Sequence, residues 1–340
     1  MARLDPSQPS IEMLADFGPG CQPVPESEAR AYAVAFARQA SENFVVLGRL
    51  LPARLVDDFA AVYAFCRWAD DLGDERDPAL AQDAPDEAVR ARALELLGWF
   101  KSELERDEPT HPVLVALAPT VERHCLPKRE FAKLISAFEM DQRVRRYQTW
   151  QELMGYCELS ANPVGRIVLM LAGLRPPEED ASNAAAWRMS DAICTALQLT
   201  NHIQDVRRDL LERDRVYLPS EETGLDAATL RAWAGTPEES AARIRYIRAV
   251  RPLVNRTRLL YHEGSDLPAL VEGRLGSLIG MMAMGGEATL HRIEVEGCTT
   301  LWKRPRVGAS TRARIALCGL ASLYSTKWRK TRKNSRASPR

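Results

Sequence analysis

The sequence lacks several features that would each point to a particular function. No stretch approaches the roughly 18 uninterrupted apolar residues that a membrane-spanning helix needs. The start of the chain has no basic-then-apolar signal, and Asp5, Glu12 and Asp16 argue against a transit peptide. The seven cysteines include no Cys-x-x-Cys pair, which excludes a thiol-redox motif and suits a reducing compartment better than a secreted disulfide framework. His111, His124, His202, His262 and His291 fall at no zinc spacing. There is no glycine-rich phosphate loop, and the Gly18-Pro19-Gly20 turn leads into neither strand nor helix, so a nucleotide fingerprint is absent. Lysine and arginine total 46, as do aspartate and glutamate, so net charge gives no sign of a nucleic-acid partner. These absences lead to the expectation of a soluble, cytoplasmic protein.

What is present is helical pattern. With 46% hydrophobic and 27% charged residues, the chain can bury a sizeable core. Residues 1–27 are rich in Pro and Gly and are expected to form a flexible leader. Beyond them Leu55, Phe59, Val62, Cys66 and Ala69 recur at three- and four-residue steps, with Pro52 as a helix opener. Residues 87–106, 128–146, 150–174, 183–213, 227–233, 237–263 and 266–295 read the same way, and no window of strand alternation competes. Residues 76–87 and 175–183 read as surface loops. The expected fold class is all-α, with one domain over 28–325 and a basic tail over 326–340.

Two acidic clusters stand out. A helix turns about 100° per residue, so Tyr63, Arg67, Asp70 and Asp74 fall within a stripe roughly 60° wide. By the same arithmetic Gln198, Asn201, Asp205 and Asp209 share a stripe of roughly 80°. Carboxylates one turn apart repel each other by a few tenths of a kcal/mol in an exposed helix, roughly the size of a helical ion pair. Hard divalent cations offset that repulsion: Mg²⁺ takes oxygen ligands and is usually shared between one or two carboxylates and substrate phosphates. Arg67 could add a charge-assisted contact to such a phosphate. Either cluster alone is more often a solvated face, with Arg207, Arg208, Arg213 and Arg215 available to neutralise the second. Two clusters, each following an apolar stretch with polar partners at helical offsets, favour function.

At these positions the chain resembles the squalene/phytoene synthase family. The resemblance is carried by YAFCRWADDLGDE (63–75), FEMDQRVRRYQTWQEL (138–153), YCELSANPVGRIV (156–168) and QLTNHIQDVRRDLLERDRVYLP (198–219), in the family's order. It extends over about residues 28 to 325, including Lys303-Arg304-Pro305. It implies a single all-α isoprenoid-synthase bundle around a central cavity, acting on a prenyl diphosphate with Mg²⁺. It implies Asp70, Asp74, Asp205 and Asp209 as metal ligands, and Tyr63, Arg67, Tyr156 and Asn201 as catalytic residues. Phe44, Asp141, Val164, Gly165 and Gln198, again with Arg67, are implied as substrate-binding. On that reading metal-assisted ionisation of the allylic diphosphate yields a carbocation, and apolar walls around Ala161, Val164, Gly165, Val168 and Leu169 shield it.

Within the family the Ser160–Arg166 run, the Glu42-Asn43-Phe44 triplet and Gln204 are similar to the hydroxysqualene-forming branch of bacterial hopanoid pathways. Members that condense two prenyl diphosphates commonly carry Arg where this chain has Gln204. The expected substrate is therefore presqualene diphosphate, with farnesyl diphosphate next. Phytoene or dehydrosqualene synthesis from geranylgeranyl or farnesyl diphosphate is the competing enzyme reading. A helical assembly protein that kept the fold and lost the chemistry is the competing class, and the intact aspartates argue against it. The basic tail, with seven Lys or Arg between Lys327 and Arg340, reads as a solvated extension or as a peripheral contact with anionic lipid. No nucleic-acid partner is expected.

Overall fold

The computed structural model describes residues 4–40, 51–235, 240–271 and 273–319. Among these residues the regular structure is helical, and the one β contact is an isolated parallel bridge between Arg146 and Val216. The all-α expectation holds. No helix of the described residues is long and apolar enough to cross a membrane. Phe44 and the basic tail lie outside the described residues.

The chain divides into two compact units. The first comprises residues 1–144 and 166–174, and the second 145–165 and 175–340.

In the first unit, the helix Val56–Asp74 is the central element and packs against Glu26–Ala40, Asp86–Glu105, Pro112–His124 and Lys128–Arg143. Its sequence explains that position. Ala60, Ala61, Ala64, Phe65, Trp68, Ala69 and Leu72 are all buried, so apolar side chains cover several of its faces. Phe65 stacks on Phe100 at 5.5 Å between ring centroids and meets Phe131 edge-on at 5.1 Å. A buried Asp58 near its start is matched by the Thr120 hydroxyl at 2.9 Å, Arg123 at 2.6 Å and His124 at 3.0 Å. The helix Pro112–His124 was not expected from periodicity. Pro112 opens it at the first helical position, but Pro119 inside weakens the helical pattern.

The expected flexible leader requires correction. Ile11, Met13 and Phe17 are buried, and the Ser10 hydroxyl donates to Asp71 at 2.7 Å. The apolar residues are too few and too interrupted by Pro and Gly to show a period, but they suffice to dock the segment.

In the second unit, the helix Ala184–Gln204 packs against Trp150–Ser160, Ser240–Glu263 and Arg274–Val295. Its core includes Ala196, Ile203, Leu210, Tyr246, Val250, Val254, Leu290 and Ile293. Two helices expected to be continuous are broken. Ala161 separates Trp150–Ser160 from Asn162–Leu171, and Asp205 separates Ala184–Gln204 from Val206–Glu212. The second break is slight, because the Asp205 and Asp209 amides still donate to the Asn201 and Asp205 carbonyls at 2.9 Å.

Candidate active site: two aspartate motifs

The first motif occupies the last turns of the Val56–Asp74 helix. Asp70 and Asp74 are half-exposed and one turn apart, whereas Asp71 between them is buried. Asp71 accepts from the Ser10 hydroxyl and pairs with Arg67 at 2.7 Å. Burial pushes its carboxyl up from the usual range, against the pull of Ser10 and Arg67. Arg67, expected to meet a phosphate, lies over the motif itself, 3.4 Å from Asp70 and 3.9 Å from Glu75. Tyr63, two turns before Asp70, packs beside Val34 and Phe59 against Ala37 and Ala60.

A residue that no local pattern singled out fixes the end of this helix. The Gln142 amide, from the helix Lys128–Arg143, donates to the Gly73 carbonyl at 2.7 Å. A Cβ at Gly73 would sit 3.3 Å from Phe138 Cβ, so glycine permits the approach. The preceding Asp141 is buried on the same helix. The one signal in the sequence for Gln142 was its place within the 138–153 motif.

The second motif spans the break at Asp205. Asp205 and Asp209 are both buried, Gln198 is half-buried and Asn201 is exposed. The two carboxylates are held by guanidinium groups. Arg208 lies 3.0 Å from Asp205 and 3.4 Å from Asp209. Arg304 grips Asp205 through two nitrogens, Nε on Oδ1 and Nη2 on Oδ2, the latter at 3.1 Å. Burial, with the neighbouring Asp205 charge, raises the Asp209 carboxyl to about 6 even though Arg208 opposes the shift.

Arg304 reaches Asp205 because residues 299–305 run across the motif as a strap. Leu301 is buried in the core, Tyr246 and Thr300 share a hydrogen bond of 2.7 Å, and Arg207 donates to the Leu301 carbonyl at 3.2 Å. The Gln204 amide donates to the Pro305 carbonyl at 2.7 Å. Gln204, which in the sequence stands out as a missing cation, thus sits beside a guanidinium supplied from elsewhere in the chain.

Next to this motif is an aromatic group that the sequence did not disclose. His202 stacks on Tyr217 at 3.8 Å, and Tyr156 lies 5.4 Å from Tyr217 and 5.8 Å from His202. Tyr147 completes the group, 5.6 Å from both Tyr156 and Tyr217. Burial, with Arg208 nearby, lowers the His202 imidazole to about 3, and among the described residues its Nε2 has no hydrogen-bond partner.

Gly165 serves close helix packing: a Cβ there would come within 2.4 Å of Ser190 Oγ and 2.5 Å of Cys194 Sγ. Val164 beside it is half-buried.

Among the described residues no group of three or more His, Cys, Asp or Glu side chains could hold a metal ion alone. Each motif brings two hard oxygen donors. That set does not make an all-protein cage, but it suits Mg²⁺, which completes its shell with water and phosphate oxygens. The donor chemistry therefore fits.

The squalene/phytoene synthase family model matches residues 37–313. The chain belongs to this family. It is 35% identical to a hydroxysqualene synthase of Rhodopseudomonas palustris over 69% of this chain and 73% of that one. It is 32% identical to a phytoene synthase of Thermus thermophilus over 81% of this chain and 87% of that one. Among solved structures, the squalene synthase HpnC of Alicyclobacillus acidocaldarius superposes with a TM-score of 0.64 at 36% identity, covering 81% of this chain and 97% of that one. The fold is accordingly the all-α isoprenoid-synthase fold, and the protein is an enzyme of the squalene/phytoene synthase type.

Proposed function

We propose that the enzyme ionises presqualene diphosphate and passes the resulting carbocation to hydroxysqualene, a step of squalene and hopanoid synthesis. The observation that carries this reading is the buried Asp205–Asp209 pair, one turn apart and neutralised by guanidinium groups. Two desolvated carboxylates at that spacing need positive charge beside them, and Mg²⁺ shared with a diphosphate supplies it as the guanidinium groups do here. Likeness to hydroxysqualene synthases and to a squalene synthase supports the substrate class.

On this reading Asp70 and Asp74 hold Mg²⁺, as do Asp205 and Asp209, for the substrate diphosphate. When bound, Mg²⁺ withdraws electron density from the diphosphate oxygens and so weakens the allylic C–O bond. Arg67 and Asn201 orient the leaving group, with Tyr63 and Gln198 beside them. Tyr156 presents a buried aromatic face close to the second motif, where a ring quadrupole stabilises developing positive charge. Phe44, Asp141, Val164 and Gly165 belong to the isoprenoid-binding surface. Water delivered to the cation forms the new C–O bond, and its proton passes to solvent or to the departing diphosphate.

Separate incubations of the purified enzyme and Mg²⁺ with presqualene, farnesyl and geranylgeranyl diphosphates test the assignment. Hydroxysqualene from presqualene diphosphate, with nothing from the other two, is the expected result. Phytoene from geranylgeranyl diphosphate would replace this reading with the carotenoid one.

A further inference from the structure

Asp205 is the most heavily engaged carboxylate of the second motif. Both of its oxygens accept from Arg304, and Oδ2 also faces Arg208 at 3.0 Å. Arg208 and Arg304, with Arg213 also acting on Asp209, thus already neutralise the two carboxylate charges of Asp205 and Asp209. The balance is local, and a divalent cation cannot be added to it without loss. Two further positive charges at a buried pair already neutralised would leave a desolvated excess of positive charge, which is costly. One guanidinium has to leave as the cation arrives.

Of the two, Arg304 is built to move. Arg208 lies on the same short helix as Asp209 and touches both carboxylates, so it travels with the motif. Arg304 comes from the strap rather than from the motif's own helix, and its guanidinium donates to Asp205. The strap backbone is pinned on either side, at Leu301 by Arg207 and at Pro305 by Gln204. The side chain can therefore swing while its Cα stays in place.

We infer that Arg304 is an exchangeable counter-ion of the second motif, positioned by Gln204: it occupies Asp205 when no metal is bound and gives way to a divalent cation, becoming free to pair with the diphosphate. Metal and diphosphate then bind cooperatively, because each relieves a charge that the other leaves unpaired. A metal ion that arrives alone binds the motif more weakly than one that arrives with diphosphate. Gln204 is a positioning residue in this arrangement. In place of a cation at position 204, its neutral amide anchors the strap that delivers one. The inference rests on Asp205 being a metal ligand, as proposed above.

Mn²⁺ binding to the full-length enzyme, followed by the electron paramagnetic resonance of free Mn²⁺, tests it without reference to turnover. Titrations are run with and without inorganic pyrophosphate on the wild type and on Arg304→Gln, Arg304→Lys, Gln204→Ala and Asp205→Asn. Arg304→Gln is expected to tighten binding of Mn²⁺ alone by about two- to fivefold, the range for losing a part-exposed ionic competitor. The same substitution reduces the factor by which pyrophosphate strengthens Mn²⁺ binding, and Arg304→Lys restores part of that factor. Gln204→Ala shifts both quantities in the same direction by less, and adding it to Arg304→Gln has no further effect. If Asp205→Asn weakens Mn²⁺ binding but Arg304→Gln leaves it unchanged or weaker, the exchange is refuted while the metal assignment stands. If Asp205→Asn has no effect on Mn²⁺, both fall. Circular dichroism of each variant separates these outcomes from misfolding, and Arg304→Lys, which keeps the charge, provides the folded comparison.

Discussion

The two aspartate motifs share a spacing and differ in nearly everything else. Asp70 and Asp74 are half-exposed on one continuous helix, and the buried acid beside them, Asp71, is taken up by Ser10 and Arg67. Asp205 and Asp209 are themselves buried, at a helix break, with Arg208 and Arg304 as counter-ions. In the first motif the structural and the proposed metal-binding acids are different residues. In the second they are the same residues. Substitutions in the first should therefore separate stability from activity, whereas in the second the two effects should arrive together.

The largest expected effect bears on whether the motifs act as a unit. Asp70→Asn and Asp205→Asn should each lower kcat by about 10²–10³-fold, the scale of losing one electrostatic contribution to the transition state. The double variant should be little worse than either single one, since residues serving one leaving group are not additive. Steady-state kinetics on the three proteins checks this, and fully multiplicative losses would mean that the motifs act independently.

A smaller effect separates Asp71 from Asp70. Asp71→Ala leaves the buried Ser10 hydroxyl and part of Arg67 without an acceptor, and should cost about 2–3 kcal/mol of stability. Asp70→Ala should cost less than about 0.5 kcal/mol, as exposed sites do. Urea unfolding of the two variants would break the comparison if Asp70→Ala proved the more destabilising.

A pH dependence extends the comparison, since among the described residues each unit carries one buried imidazole. His111, ringed by Trp68, Trp99 and Phe100, and His202, stacked on Tyr217, are each lowered by burial to about 3. Below the ordinary histidine pKa the unfolded chain binds a proton that the folded chain does not. Stability is thus intact above about pH 6.5 and declines as pH falls toward 3, by about 2 kcal/mol per histidine at pH 5. His111→Phe and His202→Phe should each reduce this acid sensitivity. If urea midpoints of a variant and the wild type fall equally between pH 7 and pH 5, that histidine does not contribute.

The sequence made some of this legible and concealed the rest for identifiable reasons. Helical periodicity over Val56–Asp74 and Ala184–Gln204 was strong enough to set the fold class and to align each pair of carboxylates. The break at Ala161 falls just before Pro163, which implies a kink in the sequence but stands in the first turn of a new helix, and the break at Asp205 was concealed because hydrogen bonding continues through it. Pro119 masked a helix that tertiary packing nevertheless forms. The group of Tyr147, Tyr156, His202 and Tyr217 joins segments distant in sequence, so no local pattern could reveal it. Arg304 was visible only as part of a late motif, and its contact with Asp205 spans 99 positions. Gln204 drew notice for what it lacks, a charge, although its amide is what holds the strap.

Release of pyrophosphate from presqualene diphosphate, followed in a single turnover by enzyme stripped with EDTA and then titrated with Mg²⁺, addresses the central claim most directly. The account predicts no release from the stripped enzyme and full recovery as Mg²⁺ is restored. Release at an undiminished rate in excess EDTA would contradict it.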